Sequence, residues 1–348
     1  MFKNIFNIKS EADFQAACLE TFLYQYENVE VYRKFVDFLG KNPSEIKEVI
    51  DIPFLPIEMF KNHLVLDKVF DSAQTDKSIK YFQSSGTTQI QTRSKHWIAD
   101  FSLYEESIYR SFEQFIGKPE EYIFLGLLPN YSENPNSSLI YMVDFLMKKS
   151  RKPENGYFLY NHQELFELLQ KLGKENKKVI LFGVSFALLD FLDYLENKTS
   201  DLRLQTSDLI IIETGGMKGR KEEMTKDELL KLLQEGFKTE KIYSEYSMTE
   251  LLSQAYSLGK NEYQCPNWMR ILIRNTEDPF SYVEDGRTGA INIIDLANRH
   301  SCSFIATQDL GKIVAQEQNG HSDFLKYTFQ VLGRIDHSDI RGCSLLVS

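Results

Sequence analysis

The spacing of hydrophobic positions changes near residue 80, and the change predicts two kinds of architecture in one chain. The segment from about 10 to 75 is predicted to be mostly helical, because Phe14, Ala17, Leu19, Phe22 and Leu23 recur at helical spacing. Residues 51–58 contain two prolines. Each proline disfavours helix in the residue before it, so an extended connector is expected there.

Short apolar runs alternate with amphipathic stretches from about residue 80 onward. Residues 122–128, 179–182 and 209–212 are predicted to be buried strands. Leucine-rich stripes within residues 165–172, 188–195 and 229–237 are predicted to be helices. This alternation indicates a parallel sheet covered by helices. After about residue 280, the runs 290–294, 303–306 and 327–332 predict a smaller antiparallel β section.

The predicted fold class is therefore α/β, in a single domain over residues 1–348. We expect a helical N-terminal section over residues 1–75, an α/β core over 76–280, and a small β section with a terminal tail over 281–348. A hydrophobic content of 42% is enough for a sizeable core in a chain of 348 residues.

Charge and cysteine content exclude several classes of function. The formal charge of −10, from 40 Lys and Arg against 50 Asp and Glu, argues against nucleic acid as a partner, because binding phosphate backbones needs a basic surface. No apolar run approaches the roughly 18 residues that span a bilayer, and the N-terminus lacks the apolar core of a secretory signal. The cysteines are widely spaced and form no CxxC pair, which favours reduced thiols in the cytoplasm over a zinc site: Cys18, Cys265, Cys302 and Cys343.

A cluster of small residues follows an extended run near residue 81, and it consists of Ser84, Ser85, Gly86, Thr87 and Thr88. Glycine lets the backbone approach a ligand closely, and the hydroxyls and N–H groups can surround phosphate oxygens. The cluster lacks the lysine of a Walker A loop, and taken alone it is more typical of a polar turn.

Four further segments rich in turn residues follow predicted strands. Residues 214–218 (TGGMK) come directly after the strand that ends at Glu213, and residues 246–250 (YSMTE) follow a short strand around Ile242. Residues 307–311 (TQDLG) are expected in a turn between strands, and residues 333–336 (GRID) after the last strand. Each segment alone is compatible with ordinary turn chemistry.

In this order, the five segments resemble the adenylate-forming superfamily of acyl-CoA synthetases and luciferases. The runs at 24–28, 57–61 and 341–344 make the chain more closely similar to the acyl-protein synthetase family of bacterial bioluminescence. That family supplies the fatty-acid-activating subunit of a fatty-acid reductase complex. The resemblance covers nearly the whole chain and implies the large-domain fold of adenylate-forming enzymes.

The resemblance implies ATP and Mg²⁺ as cofactors. The implied phosphate-binding residues are Ser84, Ser85, Gly86, Thr87 and Thr88, and the implied adenine-lining residues are Gly215, Gly216 and Met217. Tyr246 is expected to stack near the base, Thr249 to contact phosphate, and Glu250 to coordinate Mg²⁺. Asp309 is expected to accept hydrogen bonds from the ribose hydroxyls, and Arg334 to reach the ribose or the α-phosphate.

The implied reaction is activation of a carboxylic acid, a fatty acid by resemblance, as acyl-AMP, followed by transfer to a thiol. Cys343 matches the cysteine that carries the acyl group in the similar family, and nearby Arg341 and Arg334 are expected to lower its pKa. A small residue in a terminal strand is the structural alternative for Cys343. Cys302 is the rival thiol, but it is predicted to lie in a core strand. The acceptor after the thiol stays open between a reductase, an acyl carrier protein and coenzyme A.

Two departures from the superfamily pattern concern lysines. Relatives carry glycine, proline and lysine after the small-residue cluster, whereas residues 89–95 read QIQTRSK, with Lys95 and Arg93 as candidate substitutes. The sequence ends at Ser348, so the mobile C-terminal domain and its lysine are expected to be missing. Mg²⁺, Arg334 and backbone donors would then stabilise the developing charge.

A serine acyltransferase or thioesterase is the alternative from a different class. Residues 179–187 read as a strand, then Gly-x-Ser-x-Ala, then a helix, with Ala187 where a nucleophile elbow usually has glycine. Ser185 would be the nucleophile, and Asp208 with His300 or His321 would complete a triad. The structural alternative for Ser185 is a helix N-cap.

A non-catalytic nucleotide-binding homologue is a third hypothesis, because the missing lysine is compatible with lost activity. The histidines are assigned no catalytic role, since scattered histidines such as His96 and His337 are more typical of surfaces.

Overall fold

The helices match the predicted α/β alternation. A computed structural model describes residues 4–70, 80–84, 93–129, 132–197, 208–215, 224–314 and 327–335. The α-helices in this part of the chain are α1 (Glu11–Asn28), α2 (Glu30–Phe38), α3 (Met59–Asn62), α4 (Phe101–Phe115), α5 (Ser138–Ser150), α6 (His162–Lys174), α7 (Ser185–Glu196) and α8 (Lys226–Phe237). Short 3₁₀ turns occupy Ile5–Asn7, Pro43–Glu45, Val49–Asp51 and Pro119–Glu121. Among the described residues, no helix is both long and apolar enough to cross a membrane.

Side-chain caps explain where several helices begin. The hydroxyl of Ser10 accepts a hydrogen bond from the backbone N–H of Asp13 at the start of α1. Thr225 and Glu228 form a reciprocal capping box at the start of α8, which leaves Lys226 as the first residue of that helix.

Nearly all the strands belong to one large sheet. They are β1 (Leu55–Pro56), β2 (Lys80–Gln83), β3 (Lys95–Ile98), β4 (Ile123–Leu127), β5 (Gly156–Tyr157), β6 (Val179–Gly183), β7 (Leu209–Glu213), β8 (Ile242–Tyr246), β9 (Ala255–Ser257), β10 (Tyr263–Gln264), β11 (Met269–Arg274), β12 (Gly289–Asp295), β13 (Phe304–Val314) and β14 (Thr328–Arg334). Within the described ranges, the sheet order is β11-β12-β13-β14-β10-β9-β8-β7-β6-β4-β5, with β1 beside β13. Strands β2 and β3 form a separate antiparallel hairpin.

The parallel half of the sheet confirms the predicted helix-covered core. Strands β5, β4, β6, β7 and β8 run parallel, and β4, β6 and β7 are buried along their whole length. Successive residues pack on opposite faces: Leu181 joins the cluster formed with α6, α7 and α8, whereas Ile180 and Phe182 join the cluster on the other face. Burial on both faces explains the continuous apolar runs in the sequence.

The predicted antiparallel β section is confirmed, but it is not a separate sheet. It begins with β9, which pairs antiparallel to β8, and so continues the parallel half without a break. The division of the chain at residues 75 and 280 stays a prediction, and strands of the main sheet lie on both sides of residue 280.

The expected positions of two segments were wrong. Residues 307–311 do not form a turn between strands but lie inside β13, where the register shifts between Leu310 and Gly311. Such an irregularity accommodates turn-type residues within a strand. Gly333 and Arg334 are the last two residues of β14 and do not follow it. Both segments are therefore held by the ladder between β13 and β14, which fixes their spacing more firmly than a turn would.

Candidate functional site

The carboxyl ends of β6, β7 and β8 meet at one edge of the parallel sheet, where α/β proteins commonly bind ligands. Two backbone hydrogen bonds join the segments that leave these strands. The N–H of Thr214 donates to the carbonyl of Gly183 over 3.1 Å, and the N–H of Ser185 donates to the carbonyl of Gly215 over 2.9 Å. This edge therefore places the residues after β7 beside the start of α7.

Tyr246, Asp309 and Arg334 form a contiguous polar group at this edge. The Tyr246 hydroxyl donates to Asp309 Oδ2 over 2.9 Å, and Arg334 Nε donates to Asp309 Oδ1 over 3.1 Å. The Asp309 carboxylate is almost buried, while the Arg334 side chain is 64% exposed and open to a ligand. A carboxylate has about four acceptor positions, and the described residues occupy two of those of Asp309.

Glu250 and Ser84 approach the same place from two other elements. The Ser94 hydroxyl is hydrogen-bonded to the Glu250 carboxyl, and the Ser94 N–H donates to Ser84 Oγ over 3.1 Å. Burial raises the pKa of Glu250, and the hydrogen bond from Ser94 and the charge of Arg334 oppose that rise. The first residue of the small-residue cluster thus lies one side chain away from Glu250; Ser85, Gly86, Thr87 and Thr88 lie outside the described residues.

His96 holds the backbone of Thr249. Its Nδ1 lies 2.9 Å from the Thr249 carbonyl oxygen, which can only accept, so Nδ1 carries the proton. Burial lowers the pKa of His96 to about 4, so the ring is neutral near pH 7. The expectation of a surface histidine was wrong for His96, which is 1% exposed. The ring fixes the segment that contains Thr249 and Glu250.

The turn after β7 brings Gly215 to the site. Gly215 has φ +75°, a conformation that glycine adopts without the steric penalty of a side chain, and its N–H donates to Glu213 Oε1 over 2.6 Å. The buried carboxylate of Glu213 also accepts a hydrogen bond from Ser185 Oγ, and it forms an ion pair with Lys226 Nζ. Gly216 and Met217, the other expected adenine-lining residues, lie outside the described residues.

Among the described residues, the proposed serine triad is not assembled. The Ser185 hydroxyl is buried against Glu213, whereas Asp208 lies 3.4 Å from Lys241 and His300 Nδ1 lies 3.3 Å from Asp67. His321 lies outside the described residues.

The N-cap interpretation of Ser185 was also wrong, because Val184 is the N-cap of α7 and Ser185 is its first residue. The Ser185 hydroxyl donates a hydrogen bond to the Glu213 carboxylate instead.

The donor set fits a magnesium ion that is shared with phosphates. Within the described ranges, no group of three His, Cys, Asp or Glu side chains could hold a metal by itself. Mg²⁺ in nucleotide sites usually takes only one or two carboxylates and completes its shell with phosphate oxygens and water. Glu250, beside Ser94 and Arg334, is a carboxylate of the kind that such a site uses.

Of the described cysteines, Cys18 and Cys302 are buried and Cys265 is partly exposed. Cys302 is fully buried, and burial raises its pKa to about 12. Cys18 is equally buried, and burial raises the pKa of Cys265 as well. The prediction that Cys302 belongs to the core is confirmed, although it precedes β13 by two residues. Cys343 lies outside the described residues.

Sequence reasoning missed Glu213, Lys226, Ser94 and His96 as residues of this region. One local signal was present, because Glu213 closes an otherwise apolar strand with a charged residue. A buried acidic side chain needs a cation or hydrogen-bond donors to offset the cost of burying its charge. Its presence at the end of a parallel strand therefore indicates a polar site there. The partner itself, Lys226, could not be identified from sequence because the pairing spans 13 residues.

Comparison with solved structures identifies the class of fold. The chain is similar to a 2-hydroxyisobutyryl-CoA ligase in an open conformation, in complex with 2-HIB-AMP and CoA. The two are 13% identical and superpose with a TM-score of 0.69, and the match covers 94% of this chain and 72% of the ligase. The same ligase in the thioesterification state is 14% identical, with a TM-score of 0.67 over 95% of this chain and 70% of the other. ATP-bound MatB from Rhodopseudomonas palustris is 13% identical, with a TM-score of 0.51 over 73% of this chain and 47% of that one. The fold is that of adenylate-forming ligases, as predicted.

The family is defined by sequence. The profile of the acyl-protein synthetase family LuxE matches residues 137–348, more than half of the chain, and the chain belongs to that family. No curated protein matches the sequence. Family and fold together identify the chain as an enzyme of the adenylate-forming ligase superfamily.

Proposed function

We propose that the enzyme activates a carboxylic acid, of the fatty-acid class, as acyl-AMP and then transfers the acyl group to its own Cys343. The observation that carries the proposal is the convergence of Tyr246, Asp309, Arg334 and Glu250 at one edge of the sheet. These side chains supply a carboxylate for ribose hydroxyls, an exposed cation for phosphate, and a second carboxylate for a phosphate-bound Mg²⁺.

The first step forms a mixed anhydride. A carboxylate oxygen of the acid attacks the α-phosphorus of ATP, the bond to the bridging oxygen breaks, and pyrophosphate leaves. Arg334 is oriented by Asp309 and would neutralise charge that develops on the α-phosphate. When bound, Mg²⁺ would neutralise the departing pyrophosphate, and Glu250 would hold it there. Thr249, fixed by His96, would donate a hydrogen bond to a phosphate oxygen.

Other contacts of the nucleotide are proposed from the resemblance to adenylate-forming enzymes. Ser84 and the cluster through Ser85, Gly86, Thr87 and Thr88 would surround the β- and γ-phosphates, and Gly215 with Gly216 and Met217 would line the adenine. Tyr246 would lie against the base, although its hydroxyl is already held by Asp309. Lys95 lies on β3 opposite Gln83, and Lys95 and Arg93 remain the candidates to replace the lysine that relatives carry after the cluster.

The second step transfers the acyl group. The Cys343 thiolate attacks the carbonyl carbon of acyl-AMP, AMP leaves, and a thioester remains on the protein. The final acceptor would be a partner such as an acyl-accepting reductase or an acyl carrier protein. Coenzyme A is the alternative acceptor, and the hydroxyisobutyryl-CoA ligase structures contain it.

Two measurements test the proposal. Carboxylate-dependent exchange of pyrophosphate into ATP, screened over acids of different chain length, tests adenylation; ATP binding with no exchange for any acid would indicate a non-catalytic homologue instead. Labelled acid with ATP should then give a protein-bound label that neutral hydroxylamine releases.

The matched cysteine variants assign the thiol. Cys343→Ser should lose the hydroxylamine-labile label and keep the exchange reaction, whereas the control Cys265→Ser should keep both. A label that survives in Cys343→Ser places the acyl group on another residue. Acylation of free coenzyme A without any protein adduct would make the enzyme an ordinary acid–thiol ligase.

A further inference from the structure

A buried ion pair lies beneath the turn that carries Gly215. We propose that Lys226 and Glu213 are positioning residues of the nucleotide site, which hold the backbone at Gly215 and, through Tyr263, the ring of Tyr246. The proposal rests on the proposed function, since it takes Gly215 and Tyr246 as nucleotide contacts. Neither Glu213 nor Lys226 is expected to touch the nucleotide itself.

Glu213 is fixed from two sides by the parallel sheet. It is the last residue of β7, paired in register with Gly183 of β6 and with Ser244 of β8, and its side chain is fully buried. The position of its carboxylate is therefore set by the sheet and not by the loops around it. Because the Glu213 carboxylate is fixed, the groups that donate hydrogen bonds to it are held in place as well.

Three donors converge on that carboxylate. Oε1 accepts from the Gly215 N–H over 2.6 Å and from the Ser185 hydroxyl, and Oε2 accepts from Lys226 Nζ. The Gly215 carbonyl in turn accepts from the Ser185 N–H over 2.9 Å. Both polar backbone groups of Gly215 are thus tied to the network, which determines the left-handed conformation of the turn.

Lys226 completes the charge balance and extends the network. It is the first residue of α8, and its side chain is only 17% exposed. Burial lowers its pKa, but the charge of Glu213 and the hydroxyl of Tyr263 outweigh that effect, so the pKa is raised and the side chain stays cationic. Without this cation the buried Glu213 carboxylate would be an unpaired charge, which strongly destabilises a folded structure.

Tyr263 connects the ion pair with Tyr246. Lys226 Nζ is hydrogen-bonded to the Tyr263 side chain and lies 6.0 Å from the centre of its ring. The Tyr263 ring meets the Tyr246 ring edge to face at 5.9 Å, and the Tyr246 hydroxyl donates to Asp309. Contacts therefore run without a gap from Gly215 through Lys226 to Asp309, and they join the adenine side of the site to the ribose side.

The test separates positioning from simple stabilisation. In Lys226→Met we expect the KM and Kd for ATP to rise about tenfold or more with kcat changed less than about threefold, the size typical of losing a residue that orients a ligand-binding group. Lys226→Arg should retain most ATP affinity, because it keeps the cation. The matched control is Lys241→Met, which removes the half-exposed ion pair with Asp208 at the opposite end of β7 and should leave ATP affinity unchanged.

The double variant Glu213→Gln with Lys226→Met guards against misfolding, since it leaves no unpaired buried charge. It should fold and still bind ATP more weakly, because the amide of Gln is a poorer acceptor for the Gly215 N–H. Normal KM and Kd for ATP in either folded variant, with only a lower melting temperature, would overturn the positioning role.

Calorimetric binding of ATP to the unmodified protein is measured first. No binding there rejects the proposed function, whereas binding that the variants leave unchanged rejects only the positioning role.

Discussion

Arg334 and Asp309 face each other across the ladder between β13 and β14, with Arg334 Nε 3.1 Å from Asp309 Oδ1. Because the pair is held by strand register, the cation reaches solvent at a fixed point beside Tyr246 and Glu250. The site therefore presents the exposed guanidinium of Arg334 to solvent, with the buried carboxylate of Asp309 behind it.

Replacing the carboxylate of Asp309 tests the ribose contact. Asp309→Asn keeps the shape but removes the charge, and hydrogen bonds to charged groups contribute about 1.5–3 kcal/mol, so ATP affinity should fall roughly 10- to 100-fold. Isothermal titration with ATP measures the change. The control is Asp208→Asn, which alters a half-exposed carboxylate paired with Lys241. An unchanged Kd in Asp309→Asn would remove Asp309 from the nucleotide site.

Glu250 links activity to Mg²⁺ and to pH. Glu250→Gln should reduce pyrophosphate exchange by roughly 100-fold and raise the Mg²⁺ concentration needed for half-maximal rate, because a neutral amide is a weak magnesium ligand. Burial raises the pKa of Glu250, so as pH falls the Mg²⁺ concentration needed for half-maximal rate should begin to rise at a higher pH than for an ordinary carboxyl. Titrations of Mg²⁺ at several pH values measure this.

The Mg²⁺ titrations have a matched control. Glu121→Gln changes an exposed carboxylate paired with Lys178 and should reproduce the unmodified Mg²⁺ dependence at every pH. If Glu250→Gln and Glu121→Gln behave alike, Glu250 is not a metal ligand.

Much of this region could be predicted from sequence, and the failures have physical causes. The buried strands β4, β6 and β7 were predicted because burial on both faces demands continuous apolar residues. Residues 307–311 were misplaced because Gly and Asp are ordinary turn residues, and a register shift inside β13 is invisible without its partner strand.

The contacts that organise the site depend on pairing between distant residues. His96 lies 153 positions from the Thr249 carbonyl that it binds, and Tyr246 lies 63 positions from Asp309. The resemblance to adenylate-forming enzymes implied that Tyr246, Glu250, Asp309 and Arg334 belong to one site, but not which side chain orients which. Local spacing cannot carry that information, since it depends on the order of strands in the sheet.

Ser185 should be unreactive toward a serine-directed fluorophosphonate. Ser185 is 1% exposed, and its hydroxyl donates a hydrogen bond to Glu213. The Glu213 carboxylate is bound to Lys226 and to the Gly215 N–H, and none of these contacts involves a histidine that could activate the serine. Mass spectrometry of the folded protein after treatment measures labelling. Stoichiometric modification of Ser185 with loss of activity would instead support the acyltransferase alternative.

Glu245 should make stability fall as pH rises from about 4.5 to about 7. It lies on β8 next to Tyr246, and burial raises its pKa from the ordinary 4.5 to about 7. Its Oε1 makes no hydrogen bond to any described residue, and the hydrogen bond from Ser247 and the charge of Lys226 only partly offset the effect of burial. Between these two values the folded state keeps a proton that the unfolded state releases, and the slope of the unfolding free energy against pH is therefore negative.

The isosteric variant Glu245→Gln isolates this effect, because its side chain stays neutral at every pH. The unfolding free energy of the variant minus that of the unmodified protein should increase by on the order of 3 kcal/mol between pH 4.5 and a pH above 7, and then level off. Urea denaturation at pH 4.5, 6 and 8 measures the difference. His96 acts with the opposite sign, since its pKa is lowered to about 4 and its protonation on unfolding costs stability as pH falls below 6.5. That contribution is present in both proteins and cancels in the difference, so a difference that stays flat across the range would show that folding does not raise the pKa of Glu245.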